Sequence, residues 1–183
     1  MKVYTRRGDD GTTALRTGER VRKDSAQIEL VGALDEAQAF LGVARAESAE
    51  LPAIGELLAR LERELWILMA EVTTSADEIA SLIPKETAID QAMVDALEST
   101  IDRYLEAEQF PTSFAVPGEN RLSAALDVAR TIIRRAERIA TGPALTSPVA
   151  RAYLNRLSDL CWVLARSAEG EHQVHRREKN STS

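Results

Sequence analysis

The chain has 183 residues and a formal net charge of −6, a length that suits one domain with a substantial core. Its single cysteine, Cys161, excludes internal disulfides and cysteine-ligated metal sites, and its two histidines, His172 and His175, lie in a polar tail, which argues against a histidine-dependent triad or a di-iron bundle. With no apolar run of about 18 residues and no signal sequence, we expect a cytoplasmic protein that does not enter membranes.

The charges are unevenly distributed along the chain. Residues 47–108 carry 15 acids against 4 basic residues, whereas residues 2–23 carry seven basic residues against three acids, and residues 130–138 contain four arginines. An acidic chain argues against nucleic-acid binding, because affinity for a phosphate backbone needs many neutralising contacts. Two local basic regions suit a small polyanion better.

The opening segment "TRRGDDGTT", residues 5–13, is rich in turn-forming residues. Gly8 and Gly11 permit positive φ, so that successive N–H groups can line a concavity that attracts anions. The simpler interpretation is a hairpin turn at Asp10-Gly11 between two short strands. Thr12 follows Gly11 where a P-loop requires lysine, which argues against that motif. The residues alone leave the hairpin and the anion-binding loop open.

Helical periodicity recurs in five later segments that short connections separate. These run from about Ser25 to Glu47, from Ala53 to Thr74, from a cap at Thr87 or Asp90 to Leu105, from Arg121 to Ala140, and from Ser147 to Ser167. We therefore predict an all-α protein, a five-helix up-and-down bundle. The whole chain, 1–183, is predicted to be a single domain, with an N-terminal segment at 1–24, the bundle at 25–168 and a disordered tail at 169–183.

The fourth predicted helix carries a cationic stripe. At 100° per residue, Arg130, Arg134 and Arg138 project on one side, opposite the alanines and isoleucines. The stripe could be an ordinary solvated face. However, Arg134 and Arg138 are like charges four residues apart, a spacing that destabilises a helix. Because guanidinium binds carboxylate and phosphate in bidentate fashion, a bound anion is the alternative.

Two other helices offer polar candidates. Asp35 and Glu36 lie beside the apolar stripe of the first helix, where they are either an exposed acid pair or partners for an arginine of the fourth helix, within a subunit or across an interface. Asn155 lies on the fifth helix, on one face with Trp162. It could bind an adenine edge or a sugar hydroxyl, or bond within the bundle.

Six pieces of the chain, taken in order, resemble the ATP:cob(I)alamin adenosyltransferases of the propanediol-utilisation type. They are "YTRRGDDGTTAL", "TGERVRKD", "VGALDEAQAFLG", "FAVPG", "ALDVARTIIRRAER" and "YLNRLSDL", and they extend from Tyr4 to about Arg166. The resemblance implies a homotrimer of five-helix bundles with active sites between subunits. It also implies that the cobalt(I) of cob(I)alamin attacks the 5′ carbon of ATP, giving adenosylcobalamin and triphosphate. Mg²⁺ is expected on the phosphates, and no metal is expected on the protein itself. Further expected partners are a flavin reductase and an adenosylcobalamin-dependent enzyme.

The resemblance also assigns roles to residues. It makes 1–24 a nucleotide-binding segment and implies that the nucleotide is bound by Thr5, Arg6, Arg7, Gly8, Thr13, Lys23, Arg134, Glu137, Arg138 and Asn155. Lys23 and Arg134 are expected to offset the charge of the leaving triphosphate. Asp35 and Arg130 resemble an intersubunit ion pair beside the corrin ring, and Phe114 an aromatic that displaces the lower axial ligand and so eases reduction of cobalt(II).

Three residues depart from the family pattern. Glu119 stands where a glycine is frequent, Asp127 where a histidine is frequent, and Arg7 where a threonine is frequent. We expect these differences to alter corrinoid affinity before they abolish activity.

Two other functions are compatible with the same residues. The chain could be a non-catalytic trimeric carrier that passes adenosylcobalamin to a mutase or dehydratase, or a helical bundle without a ligand. The presence of Lys23, Arg134 and Asn155 favours the enzyme, because a carrier of adenosylcobalamin needs no binding site for triphosphate.

Overall fold

The computed structural model describes residue 4 and residues 6–74, 86–111, 114–142 and 145–169. Within those ranges the elements are β1 (Thr12–Ala14), β2 (Arg20–Arg22), α1 (Ala26–Ala46), α2 (Pro52–Val72), α3 (Gln91–Ala107), α4 (Arg121–Ala140) and α5 (Pro148–Ser167). The five predicted helices are confirmed. The two strands correct the all-α prediction, and the tail from residue 170 onward lies outside the described residues.

The strands form an antiparallel hairpin in which Thr13 is paired with Val21. The predicted hairpin therefore exists, but its turn was predicted at the wrong place. Residues 15–19 join the strands, with Gly18 at φ +88° and the Leu15 N–H donating to the Glu19 carbonyl oxygen at 2.8 Å. The Asp10-Gly11 dipeptide instead forms a turn that leads into β1.

Side-chain caps set where most of the helices begin. A polar side chain accepts a hydrogen bond from the backbone N–H three residues later at Ser25, Asp90, Asn120 and Ser147. Asp90, rather than Thr87, caps α3. Asn120 and Ser123 form a reciprocal capping box, which explains why α4 begins at the residue that sequence periodicity predicts.

The core lies where the apolar stripes of the helices meet. α1 packs against α2 and α4, and α5 packs against α3 and α4. Leucines such as Leu34, Leu65 and Leu157 are fully buried there. α4 buries four alanines, among them Ala129 and Ala136, together with leucines and isoleucines, while Arg134 and Arg138 remain exposed.

Two groups of contacts fix the ends of the bundle. At one end, which we call the hairpin end, the Glu71 carboxylate accepts from the backbone N–H groups of Ile89 and Ser147, both at 3.0 Å. Arg16 of the hairpin loop donates to Thr74 Oγ1 at 3.2 Å at this end. At the opposite end, the Asn120 side chain donates to the Ala168 carbonyl oxygen at 2.7 Å. None of the helices in the described ranges is long and apolar enough to cross a membrane.

Candidate functional site

Gly8 and Lys23 are in contact in the opening segment. A Cβ atom on Gly8 would lie 3.0 Å from the Thr12 carbonyl oxygen and 3.1 Å from Lys23 Nζ. The Lys23 N–H donates to the Gly11 carbonyl oxygen at 2.9 Å, which extends the hairpin pairing by one bond. Glycine is therefore needed at position 8 for the ammonium group to lie over the loop. Thr13 is half-buried in β1, on the face shared with Val21.

Arg20 fixes the shape of this loop, a role that the sequence analysis missed. Its Nη2 donates to the Arg7 carbonyl oxygen at 2.7 Å and also to Asp10 Oδ1 and the Thr12 hydroxyl. Hydrogen bonds from Thr12, together with the charge of Arg20, hold the pKa of Asp10 below its usual value. Strand register could have pointed to Arg20, because it lies opposite Ala14, which is two residues from Thr12 and therefore on the same face of the hairpin.

Arg6 has a backbone conformation that few non-glycine residues adopt. Its φ is +61°, and its guanidinium carbon lies 5.5 Å from the centroid of the Tyr4 ring. A non-glycine residue in this region costs on the order of 1 kcal/mol, and such strain clusters at ligand sites. The predicted site residue Thr5 lies outside the described residues.

The α4 arginines form an exposed ridge, which we define as Arg134 and Arg138. Arg138 Nη1 donates to the Arg134 carbonyl oxygen at 3.0 Å, and in the described part of the chain neither arginine forms an ion pair with a carboxylate. Glu137 lies half-buried beside them. The ridge is therefore a pair of cations on one helical turn whose charge no described carboxylate offsets.

One acid of α1 does pair with α4, which is one of the two alternatives that the sequence left open for Asp35 and Glu36. Glu36 accepts a hydrogen bond from Arg135, which lies between the two ridge residues in sequence. Asp35 is exposed. The described contacts include no ion pair between Asp35 and Arg130 within one chain, and Arg130 instead pairs with Asp127.

The predicted nucleotide-binding residues collect toward the hairpin end. α1 and α4 are antiparallel, since Glu47 lies 3.9 Å from Arg121 at the opposite end. Because Arg135 binds Glu36 at the middle of α1, the ridge lies alongside α1 between its middle and its start. Asn155, half-buried in the second turn of α5, belongs to the same end, and its carbonyl oxygen accepts from Ser158. Among the described residues, no hydrogen bond or ion pair links Lys23 to the ridge.

A second group of predicted residues lines a cavity of about 420 Å³, which we call the Phe114 cavity. Its walls include Phe114, Pro117, Asp127, Arg130, Trp162 and Arg166. The structure thus brings Phe114 and Arg130 together. Phe114 lies at the surface of the chain, with 87% of its area exposed.

Asp127 differs from what the helical wheel predicts. The wheel places it among the exposed arginines, but it is only 5% exposed because Arg166 of α5 covers it. Asp127 Oδ1 lies 3.2 Å from Arg130 Nε, and Oδ2 lies 2.6 Å from Arg166 Nη2. Arg166 also donates a hydrogen bond from Nη2 to Glu169 Oε1 at 2.8 Å, and its Nε lies at ion-pair distance, 2.8 Å, from Glu169 Oε2. Sequence reasoning missed Arg166 and Glu169.

A larger cavity of about 510 Å³ lies between α3 and α5 and contains none of the predicted site residues. Arg156 binds Glu98 at 2.7 Å on its rim, and Trp162 lines this cavity as well as the Phe114 cavity. The Phe110 and Trp162 rings, 5.8 Å apart, fix the position of the shared tryptophan.

Cys161 is a core residue of α5. Burial raises the pKa of its thiol to about 12, which keeps it protonated at neutral pH. The described residues contain no cluster of three or more histidines, cysteines or acids that could hold a metal ion.

The sequence is similar to one protein family and to individual members of known function. Residues 3–168 match the model of a family described as cobalamin adenosyltransferase. A corrinoid adenosyltransferase from Citrobacter freundii is 40% identical over 171 residues, which cover 92% of this chain and 95% of that protein. One from Mycobacterium tuberculosis is 38% identical over 178 residues, covering 94% of this chain and 91% of that protein.

Solved structures from Lactobacillus reuteri share the fold. A variant PduO-type ATP:co(I)rrinoid adenosyltransferase complexed with ATP superposes with a TM-score of 0.85 at 26% identity, covering 95% of this chain and 100% of that chain. A second variant, complexed with cobalamin and ATP, has the same TM-score and identity and covers 96% of this chain and 97% of that chain.

Proposed function

This chain belongs to the cobalamin adenosyltransferase family, and from that premise we propose how its residues carry out ATP-dependent adenosyl transfer to a corrinoid. The cobalt(I) of the reduced corrinoid attacks the 5′ carbon of ATP, so that a cobalt–carbon bond forms while the carbon–oxygen bond to triphosphate breaks. Cobalt supplies both electrons of the new bond and becomes cobalt(III). The electron pair of the broken bond leaves on triphosphate.

One observation carries the proposal: α4 lines both halves of the required site. Arg130 lies in the wall of the Phe114 cavity, and Arg134 lies one turn further on, about 6 Å along the helix axis. A cavity for the corrin ring and a cationic ridge for triphosphate are therefore adjacent on one rigid element. That adjacency is what transfer from ATP to a corrinoid needs.

The nucleotide is held by the opening segment and by α4 and α5. Thr5, Arg6, Arg7 and Gly8 surround ATP, Thr13 and Lys23 contact its phosphates, and Arg134, Glu137, Arg138 and Asn155 complete the site. The position of Lys23 over Gly8 supports this assignment, as does the ridge, for which the described residues provide no carboxylate partner. Mg²⁺ would be held by ATP and water rather than by protein carboxylates, and it would offset part of the phosphate charge.

Lys23 and Arg134 act on the reaction itself. Because the attacking atom belongs to the corrinoid, the protein has to supply position and charge rather than a nucleophile of its own. Negative charge grows on triphosphate as the bond breaks, and cations already in place stabilise it most in that state.

The active form is a homotrimer with sites between subunits. Lys23 and the ridge lie toward the same end of the bundle, and none of the hydrogen bonds or ion pairs of the described residues joins them. This suits a site that combines the opening segment of one subunit with α4 and α5 of the next. Asp35 is exposed on α1, so Asp35 of one subunit can pair with Arg130 of its neighbour.

Phe114 is assigned to the corrinoid-binding part of the site. Its exposed ring would occupy the lower face of the corrin and displace the axial ligand, which removes electron donation to cobalt and eases its reduction. A flavin reductase would supply the electron, an adenosylcobalamin-dependent enzyme would receive the product, and the reaction would take place in the cytoplasm.

Anaerobic spectroscopy tests the proposal. The protein is mixed with ATP, Mg²⁺ and chemically generated cob(I)alamin, and adenosylcobalamin and triphosphate should appear in equal amounts. Binding of added adenosylcobalamin without turnover would instead support a carrier. A melting temperature that ATP leaves unchanged would support a bundle without a nucleotide site, because a ligand selective for the native state stabilises it.

A further inference from the structure

Four charged side chains of alternating sign connect the protein interior to the Phe114 cavity. Glu169 binds Arg166, Arg166 binds Asp127, and Asp127 binds Arg130. The first three are at most 5% exposed, whereas the Arg130 side chain is 27% exposed. Charges buried to this degree are tolerated only when paired, and here each has an opposite charge within hydrogen-bond distance.

The geometry leaves part of Arg130 available for another partner. Asp127 binds its Nε at 3.2 Å, while the other carboxylate oxygen is held by Arg166 at 2.6 Å. Among the described residues, no hydrogen bond from the terminal amino groups of Arg130 is present, and Arg130 lines the wall of the cavity. An arginine side chain is flexible when unpaired, so the bond to Asp127 selects one orientation of the guanidinium.

We propose that Asp127 and Arg166 are positioning residues for corrinoid binding, which act by fixing the Arg130 guanidinium at the Phe114 cavity. The proposal rests on the proposed function, because the cavity receives a corrinoid only if that function is correct. Since the same ion pairs also connect α4 to α5, a purely structural role is the alternative. A test must therefore separate loss of Arg130 orientation from loss of packing.

A double-mutant cycle makes that separation. Asp127→Asn keeps the shape of the side chain but removes its charge, and Arg130→Ala removes the group it positions. We expect Asp127→Asn to raise the KM for cob(I)alamin by about tenfold and to change the KM for ATP less than about twofold. In the Arg130→Ala background it should raise the corrinoid KM no further. Equal effects in both backgrounds, or equal effects on both substrates, would overturn the proposal.

Two further variants serve as a control and as a replacement in the cycle. Glu98→Gln removes a surface carboxylate whose partner is Arg156, and it should leave both KM values unchanged. If Asp127→Asn does not fold, Arg166→Lys replaces it in the cycle, because lysine keeps the charge but cannot bind Asp127 and Glu169 with one planar fork. The same pattern of KM values is then expected, and an additive cycle again overturns the proposal.

A measurement without turnover separates failure of this proposal from failure of the proposed function. The Arg130 Nε–H signal in NMR spectra, assigned by its loss in Arg130→Ala, should exchange slowly in the wild-type protein and faster in Asp127→Asn. Equal exchange would overturn the positioning role even if adenosylcobalamin forms. An inactive wild-type protein with the expected exchange difference would refute only the proposed function.

Discussion

The Tyr153 hydroxyl donates a hydrogen bond to Glu64 Oε2 at 2.7 Å, in the core between α2 and α5. Burial raises the pKa of Glu64, although the bond from Tyr153 opposes that rise. Burial, followed by the neighbouring carboxylate charge, places the pKa of Tyr153 well above its usual value. The core thus contains a carboxylate whose ionisation opposes folding.

This relationship predicts a pH-dependent stability. Because the native pKa of Glu64 is raised, its contribution is fully present below the unfolded-state value, near 4.5, and is lost as pH rises through the native pKa. Glu64→Gln should remove that loss and increase the free energy of unfolding at neutral pH by on the order of 1 kcal/mol. Urea unfolding of both proteins, at one pH below and one pH above the titration of Glu64, measures this difference. An increase of equal size at both pH values would contradict the argument.

Tyr153→Phe should change stability in the opposite direction from Glu64→Gln. It leaves the buried carboxylate without its hydroxyl donor, so we expect a destabilisation of about 1–3 kcal/mol that is larger at neutral pH than in acid. The same urea experiment measures it.

The α4 ridge predicts unequal effects for two adjacent arginines. Arg134→Ala should lower kcat/KM by at least about 100-fold, because the proposed site would lose a charge positioned to stabilise the leaving triphosphate. Arg135→Ala is the matched control, since Arg135 binds Glu36 within the chain and its loss should have little effect on turnover. Steady-state rates of adenosylcobalamin formation give the answer, and similar losses for both variants would count against the ridge as the triphosphate site.

The contact between Gly8 and Lys23 predicts a defect on the ATP side. Gly8→Ala would place a methyl group 3.1 Å from Lys23 Nζ and 3.0 Å from a backbone oxygen that cannot move freely. The displaced ammonium should lower kcat/KM for ATP by roughly 10- to 100-fold, with the KM for cob(I)alamin unchanged. Gly42→Ala is the control, because its nearest atom would be Glu62 Oε1 at 3.9 Å. An unaltered Gly8→Ala enzyme would mean that Lys23 does not contact phosphate.

Phe114 predicts a defect that depends on how the corrinoid is supplied. Since the side chain is 87% exposed, Phe114→Ala should leave the melting temperature unchanged. Adenosylation that starts from cob(II)alamin and a reductase should fall steeply, whereas adenosylation of chemically prepared cob(I)alamin should fall less, because that substrate bypasses the reduction. Equal losses in the two assays would argue against displacement of the axial ligand.

The capping box of α4 predicts a stability effect. Asn120→Ala removes the cap and also the 2.7 Å bond to the Ala168 carbonyl oxygen, so we expect a loss of about 1–2 kcal/mol. Ser25→Ala removes one longer cap bond, at 3.4 Å, and should cost less. Thermal unfolding of the two variants compares them, and the reverse order would show that the α4–α5 connection contributes little.

Local signals made the helices predictable. α4 has the bounds that the sequence indicates, because its apolar period, its Asn120 cap and the glycine beyond it agree. The hairpin turn was misplaced because Asp10-Gly11 carries the stronger local turn signal. Strand pairing between Thr13 and Val21, which no single turn dipeptide encodes, decides the register.

The environment of Asp127 could not be predicted from α4 alone. A helical wheel describes one helix, and on it Asp127 shares a side with exposed arginines. Its burial is due to Arg166, which lies 39 residues away in the chain on a different helix. Pairing of this kind depends on how α5 packs against α4, and the periodicity of either helix does not specify it.

The burial of Cys161 has a practical consequence for studying assembly. It is the single cysteine of the chain, and with a pKa of about 12 and no exposed surface it should not react with maleimide reagents under native conditions. A cysteine introduced on the exposed outer face of α3 would then carry a spin label or dye at one defined position per subunit, with the native thiol left in place. Distances between such labels would report the number of subunits and their arrangement in solution.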